Sequence, residues 1–422
     1  MGSLRHTLGV AVAVVGLATA TAVAQPVAPV TLDEAVRLAV ERHPSARQAA
    51  TTILRAEALL QQARTVAWPT VTGGIATTVL DGERGFDEFV TQPRTQTLFS
   101  ASVAYPVLAA SRWAARTQAG DQVRVAQYGA EEVRRQIAVA TAGAYLAVIA
   151  QKRQVDVNTR ARETAQAHLD YARARLEGGV GSKLNELRAA QEVATSDVLL
   201  ESARLGVRRA QEALGVLTAT DAPVDAAGEP AFEVPAAPVG EDWLRGRTDI
   251  RLFTAQREAA ERVFRDSRKD WIPTGTVSFD PQYVTPAGLF QPSRTWRGVL
   301  QFSVPLFDGG QRRAVARQRE VAVEAADLTL AEVELRARAD LRTARAAVES
   351  TERAVASARL AAQHAADVLR ITDVAFRAGA TTNIEVIDAQ RRARDADTAA
   401  AQAEDRLRQA RLDLLVALGR FP

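Results

Sequence analysis

Apolar residues recur every seven positions along much of the chain, and the series occurs twice. Val348, Val355, Ala362, Leu369 and Phe376 make one series. Two hundred residues earlier stand Val148, Val155, Arg162, Leu169 and Leu176, apolar at four of the five positions. Ala344, Ala358 and Ala365 likewise match Ala144, Asn158 and Ala165. A sustained seven-residue apolar period predicts helices that supercoil on one another with a left-handed twist. Alanine in the seam lets the backbones approach closely. Arg162 interrupts the seam and is expected to face a lumen or water.

Around these seams each copy shows the same order of parts. The first opens with a helix over residues 31 to about 67, where Thr31 and Glu34 have the spacing of a capping box. Trp68-Pro69 ends it, because a residue before proline disfavours the helical conformation. Two strands follow, over 70–79 and 96–105, and Pro106 opens a long helix to about residue 176. Gly178-Gly179-Val180-Gly181 turns the chain into a helix over 182 to about 217. The second copy runs from a helix starting near Glu241 and ending at Trp271-Ile272-Pro273, through strands over 274–283 and 296–304. Pro305 begins the transition to a long helix ending near Phe376, Ala378-Gly379-Ala380-Thr381 is the turn, and the last helix reaches about Leu418. The expected organisation is a first repeat over 25–218, a linker over 219–240 and a second repeat over 241–422. The linker carries Pro223, Pro230, Pro235 and Pro238 and is expected not to pack. A helix of ~70 residues is ~105 Å long, and the two shorter helices of a copy, stacked end to end, match it. The fold class is therefore mainly α: a long helical tube or bundle with a small β part at one end.

The strands alternate. Val71, Ile75 and Val79 share one face and Thr70, Thr72 and Thr78 the other. Phe99, Val103 and Tyr105 oppose Ser100 and Ser102; Val277, Phe279 and Tyr283 oppose Thr276, Ser278, Asp280 and Gln282; Trp296, Leu300, Phe302 and Val304 oppose Gln301 and Ser303. A soluble sheet with one buried face alternates in this way too. Strands of about ten residues in an exported chain favour a membrane barrel with lipid outside and water within. Four strands do not close a barrel, since single-chain barrels start at about eight. Three copies supply about twelve, which predicts a homotrimer in contact with outer-membrane lipid. The loops over 80–95 and 284–295 are expected to face the exterior.

Composition narrows the compartment and the chemistry. Arg5 and His6 precede an apolar run over about 8–20, and Ala22-Val23-Ala24 supplies a small-x-small cleavage pattern, so residues 1–24 read as a secretory signal. No later apolar run is long enough for a membrane-spanning helix. The chain has no cysteine, which removes disulfides, thiolate metal sites and a lipid-anchored cysteine. Four histidines, far apart in sequence, leave little for a metal cluster. The formal net charge of +3 among 24% charged residues argues against a nucleic-acid partner. Aromatic content of 5% suits long alanine-rich helices. Gly178-Gly179-Val180-Gly181-Ser182-Lys183 resembles a phosphate loop only superficially: the Ser-Lys order is reversed and the context is helix-turn-helix. Nothing in the spacing of nucleophiles, bases or ligands suggests an enzyme or a cofactor.

Glu385 and Asp388 stand three apart at the start of the last helix, on one face. Thr382 and Glu385 have capping-box spacing, so Glu385 is open to a capping role as well. Asp388 lies a turn deeper, where capping cannot use it. The first copy has Asn185 and Arg188 at these places.

The order of parts resembles the TolC-type outer-membrane efflux family over the whole mature chain. Thr31-Leu32-Asp33-Glu34-Ala35-Val36 with His43-Pro44 is similar to that family's opening helix, which usually has Asn before the proline. Pro69 and Pro273 fit its helix-to-strand prolines, and Pro305-Leu306-Phe307-Asp308-Gly309-Gly310 its strand-to-helix motif, with Pro106-Val107-Leu108 a degenerate first copy. Gly379 through Ile384-Glu385-Val386-Ile387-Asp388-Ala389-Gln390 resembles its helix-start signature. The resemblance implies a trimer with a 12-stranded β-barrel, a periplasmic helical tunnel, and partnership with a periplasmic adaptor and an inner-membrane pump. It implies that Glu385 and Asp388 project into the periplasmic aperture. It also implies that Gly178, Gly179, Val180, Ala378, Gly379 and Ala380 form the adaptor-docking tip. A coiled-coil structural or adhesin protein of the envelope is the alternative; it keeps the heptads and does not require two equivalent strand pairs.

Overall fold

The structure is a computed structural model describing residues 29–86, 88–235 and 240–421. The expected signal over 1–24 and Pro238 of the linker lie outside them. In chain order the elements are β1 (Pro29–Val30), α1 (Leu32–Arg42), α2 (Pro44–Thr65), β2 (Thr70–Val79), β3 (Arg84–Phe86), β4 (Phe89–Gln92), β5 (Thr95–Leu108), α3 (Ala110–Glu177) and α4 (Lys183–Leu217). There follow β6 (Asp225–Ala226), α5 (Asp242–Gly246), α6 (Thr248–Asp266), a 3-10 turn (Ser267–Trp271), β7 (Thr274–Thr285), β8 (Arg294–Ser303), α7 (Gln311–Arg377) and α8 (Asn383–Ala417).

The two long helices, α3 and α7, have 68 and 67 residues and run about 100 Å. No helix of this length stands without neighbours. Along one half, α2 packs on α3, α3 on α6 and α6 on α7; along the other, α4 packs on α3, α3 on α8 and α8 on α7. The short helices are thus stacked in pairs beside the long ones. Arg247 ties one junction: its Nη1 donates to the Ala417 carbonyl at the end of α8 at 2.9 Å, while Nη2 meets Asp249 at 2.7 Å. The seams are alanine-rich, and Val148, Leu169, Val348, Val355 and Phe376 of the heptad series are buried in them. Arg162 does not face open water alone. Its Nε donates to Asp197 of α4 at 3.1 Å, closing the gap in the seam with an ion pair.

Several boundaries differ from the sequence expectation. The first helix breaks at His43, held at ψ 133° by the following proline, and the His43 ring caps the next helix by accepting from the Ser45 amide at 3.2 Å. The helix expected from Glu241 breaks at Arg247 and ends in a 3-10 turn. Pro106 does not open a helix: it sits within β5 beside a register shift, a place where a strand tolerates a missing amide. Part of the proline-rich linker packs. β6 pairs in parallel with β1, and Val224 and Ala226 join Ala35, Tyr145, Val148 and Leu214 in the core at the waist of the molecule. Lys152 Nζ meets Asp225 at 2.6 Å, and the Tyr145 hydroxyl donates to the Gly228 carbonyl at 2.9 Å.

At one end the strands form an antiparallel sheet in the order β2-β5-β7-β8, open at both edges. Ile75, Phe99 and Tyr283 lie in one cross-strand row, and Tyr105, Val277 and Leu300 in another. This apolar face is uncovered: Trp296 is 73% and Ile75 71% exposed. The opposite face is polar, with Ser102 donating to Asp280 at 2.5 Å and Arg297 3.6 Å from the same carboxylate. The loop over 80–95 adds a small hairpin of β3 and β4.

Candidate functional site

The end opposite the sheet is built by two helical turns of the same design. After α3, the Gly179 amide donates to Leu176 and the Val180 amide to Arg175, both at 3.0 Å. After α7, the Gly379 amide donates to Phe376 at 3.0 Å and the Ala380 amide to Ala375 at 2.8 Å. This paired pattern needs a left-handed residue just past the helix. Gly179 at φ 73° and Gly379 at φ 77° supply it, where a side chain is strained. Gly178, Gly179, Val180, Ala378, Gly379 and Ala380 are all exposed, with Val180 the largest apolar side chain among them.

The helices after the turns begin differently. Ser182 accepts from the Leu184 amide at 3.2 Å, an ordinary cap. Thr382 has the extended backbone of a cap, but its hydroxyl makes no cap bond, so the expected Thr382–Glu385 box does not form. The next residue, Asn383, is instead buried and reaches the other hairpin. Its Nδ2 donates to the Asn185 carbonyl at 3.4 Å and its Oδ1 lies 2.6 Å from His168 Nε2. With the amide oriented this way, Oδ1 accepts, Nε2 carries the imidazole proton, and Nδ1 is a bare acceptor. Nδ1 is buried without a partner. Burial pushes the His168 pKa below its ordinary value, against the pull of the Asn383 bond and Asp373 and with the push of Arg377. The ring packs on Phe376 with centroids 5.4 Å apart.

A second tie lies two turns along. Glu192 of α4 is buried, and Arg391 and Arg394 of α8 approach it at 2.7 and 3.5 Å. The Glu192 bond holds the Arg391 pKa above its usual range. His168, Asn383 and Glu192 thus join the two hairpins. None was singled out in the sequence: 215 residues separate His168 from Asn383, and no short spacing marks them.

Glu385 and Asp388 are both exposed and line one groove of about 520 Å³ between α7 and α8, floored by Val368, Ile371, Ala375 and Ile384. Asp388 is ion-paired within its helix to Arg392 Nε at 2.9 Å; Glu385 has no ion pair among the described residues. Asn185 and Arg188 line a separate cleft between the two turns, together with Arg175 and Thr382. The places that hold carboxylates at Glu385 and Asp388 in the second hairpin thus hold an amide and a guanidinium in the first. Among the described residues no cluster of side chains has the make-up of a metal site, and no helix is long and apolar enough to cross a membrane.

A sequence model of the family described as "Outer membrane efflux protein" matches residues 35–220 and 239–420. The chain is 22% identical over 276 residues to Nodulation protein T of Rhizobium leguminosarum bv. viciae, an alignment covering 63% of this chain and 57% of that protein's length. Among solved structures, a membrane protein from Pseudomonas aeruginosa superposes with a TM-score of 0.81 at 19% identity, over 93% of this chain and 91% of that one. The Campylobacter jejuni CmeC outer membrane channel superposes with a TM-score of 0.79 at 15% identity, over 92% and 86% of the two chains.

Proposed function

From the premise that this chain belongs to the outer membrane efflux protein family, we propose that three copies form one passive exit duct through the outer membrane. The observation that carries the reading is the sheet. It has one largely apolar exposed face and two unpaired edges, and it sits at the end of the helices away from the turns. An open sheet edge is not tolerated in hydrocarbon, because its amides and carbonyls have no water to bond. Pairing β8 of one subunit with β2 of the next, three times, removes every edge and closes a ring of about twelve strands. The polar face, with its serines, threonines and the Asp280–Arg297 pair, then lines a water-filled lumen. The helical hairpins continue the wall as a tube in the periplasm.

The duct supplies no energy of its own. A periplasmic adaptor docks on the turns at Gly178, Gly179, Val180 and Ala378, Gly379, Ala380, and an inner-membrane pump drives the cargo. Glu385 and Asp388 border the aperture, where rings of carboxylates favour cations and narrow the mouth electrostatically. Arg392 offsets part of the Asp388 charge, so Glu385 is the stronger contributor. An envelope adhesin built on the same heptads has no use for the exposed sheet.

The experiment is fractionation followed by bilayer recording. The mature chain should appear in the outer-membrane fraction as a heat-resistant trimer in detergent and give discrete ion conductance in planar bilayers. A monomer soluble in water without detergent would end the proposal.

A further inference from the structure

The outward rows of the sheet hold one charge. Read along β2, β5, β7 and β8, every outward position is apolar, glycine, threonine or tyrosine except Arg294, at the start of β8. Arg294 shares a cross-strand row with Tyr283 and Phe99. Its guanidinium carbon lies 6.0 Å from the Tyr283 ring centroid, and it has no carboxylate partner among the described residues. The next row toward the helices is low: Ala101 and Pro281, ended by Trp296 opposite Pro281. Beyond it Phe279 rises again, its ring 5.9 Å from that of Trp296. The low row and its aromatic walls enclose a depression of about 590 Å³ that Arg294 overhangs.

A lone arginine on an apolar face belongs where its head can leave the hydrocarbon, at the interface. Here that interface is the outer one, since β8 begins at the end of the sheet away from the helices. Guanidinium groups bind phosphate through paired hydrogen bonds, and a shallow trough of small residues between aromatic rings suits an acyl chain. We propose that this depression binds one phosphorylated glycolipid of the outer leaflet per subunit, its phosphate on Arg294 and an acyl chain along Ala101 and Pro281. The site lies within three strands of one subunit, so each copy carries it whole. The inference rests on the shared barrel, and a chain that forms no trimer fails there before any lipid is added.

The test is native mass spectrometry of the detergent-extracted trimer, titrated with bisphosphorylated lipid A, dephosphorylated lipid A or phosphatidylethanolamine. Wild type should retain the bisphosphorylated lipid at one copy per subunit and in preference to the other two, unaffected by excess inorganic phosphate. Arg294→Gln should weaken retention about tenfold, the loss of one charge-assisted contact, and Arg294→Lys should restore part of it. Ala101→Phe fills the trough without touching the charge and should weaken retention as well, which keeps the test open if Arg294→Gln assembles poorly. Equal retention of the dephosphorylated lipid, or undiminished retention by both variants, overturns the proposal.

Discussion

Replacing Asn383 by alanine removes the tie between the two hairpins at the tip. Asn383 is 3% exposed and His168 5%, so water does not fill in for the lost amide. The His168 Nε2–H loses an acceptor at 2.6 Å and becomes a buried, unsatisfied donor. That costs about 1–3 kcal/mol. The second bond, to the Asn185 carbonyl at 3.4 Å, is long and adds little. A central figure of about 2 kcal/mol corresponds to about a 30-fold rise in the population of the separated hairpins. The tip lies at the far end of α3 and α7 from the sheet, so the effect should stay local. Hydrogen exchange at pH 7.5 should speed up by roughly that factor for amides in the first turns of α4 and α8, and the strands should exchange as in wild type. Unchanged exchange around residues 383–390 would refute the clasp. Equal acceleration in the barrel would refute its locality.

Three further outcomes follow from the same end of the molecule. Because burial holds the His168 pKa below its ordinary 6.5, its contribution is complete above that value and is lost as pH falls through the folded value; protection of the tip amides, taken relative to the intrinsic exchange rate at each pH, should therefore fall on acidification below about 6.5, and His168→Gln should flatten that dependence. Glu385→Gln with Asp388→Asn should reduce cation preference and block by multivalent cations in planar bilayers while leaving the melting temperature within a few degrees, since both side chains are exposed; unchanged ion selectivity would remove them from the aperture. Leucine at both Gly179 and Gly379 forces a branched side chain into φ of 73° and 77°, at about 1–2 kcal/mol each, and should abolish efflux while trimers still assemble and insert; surviving efflux would move the docking site elsewhere.

Much of the architecture was legible because its signals are periodic or local. A seven-residue period sustained over about eight turns has no competing reading, and a glycine pair after a long helix needs only short-range geometry. The strand alternation at Val71, Ile75 and Val79 also survived intact, because no tertiary contact overrides an uncovered face. Errors arose where context outweighs the local rule. Thr382 and Glu385 have the spacing of a capping box, yet Asn383 is drawn into the neighbouring hairpin and the hydroxyl makes no cap bond. Pro106 reads as a helix start, yet a register shift in β5 accommodates it. β1 and β6 have two residues each, too few for any period, and only the burial of Val224 and Ala226 against α3 explains them. The hairpin ties escaped for a related reason: His168, Glu192 and Asn383 acquire their roles from partners on other helices.

The stacked short helices have a mechanical consequence. α3 and α7 pass unbroken beside the level where α8 gives way to α5 and α6, and the Arg247–Ala417 bond sits at that joint. Staggered joints of this kind are what a mason uses in running bond: no course of the wall consists of joints alone. A torque applied to the turns at Gly179 and Gly379 therefore meets continuous rods and not a hinge line, and it reaches the waist before any single joint can absorb it. There the β1–β6 pair and the Lys152–Asp225 contact bind the linker between the repeats to α3 like a hoop on a barrel stave. Such a wall is stiff in bending and yields by untwisting, so motion imposed at the mouth should decay at the hoop and leave the membrane end at rest.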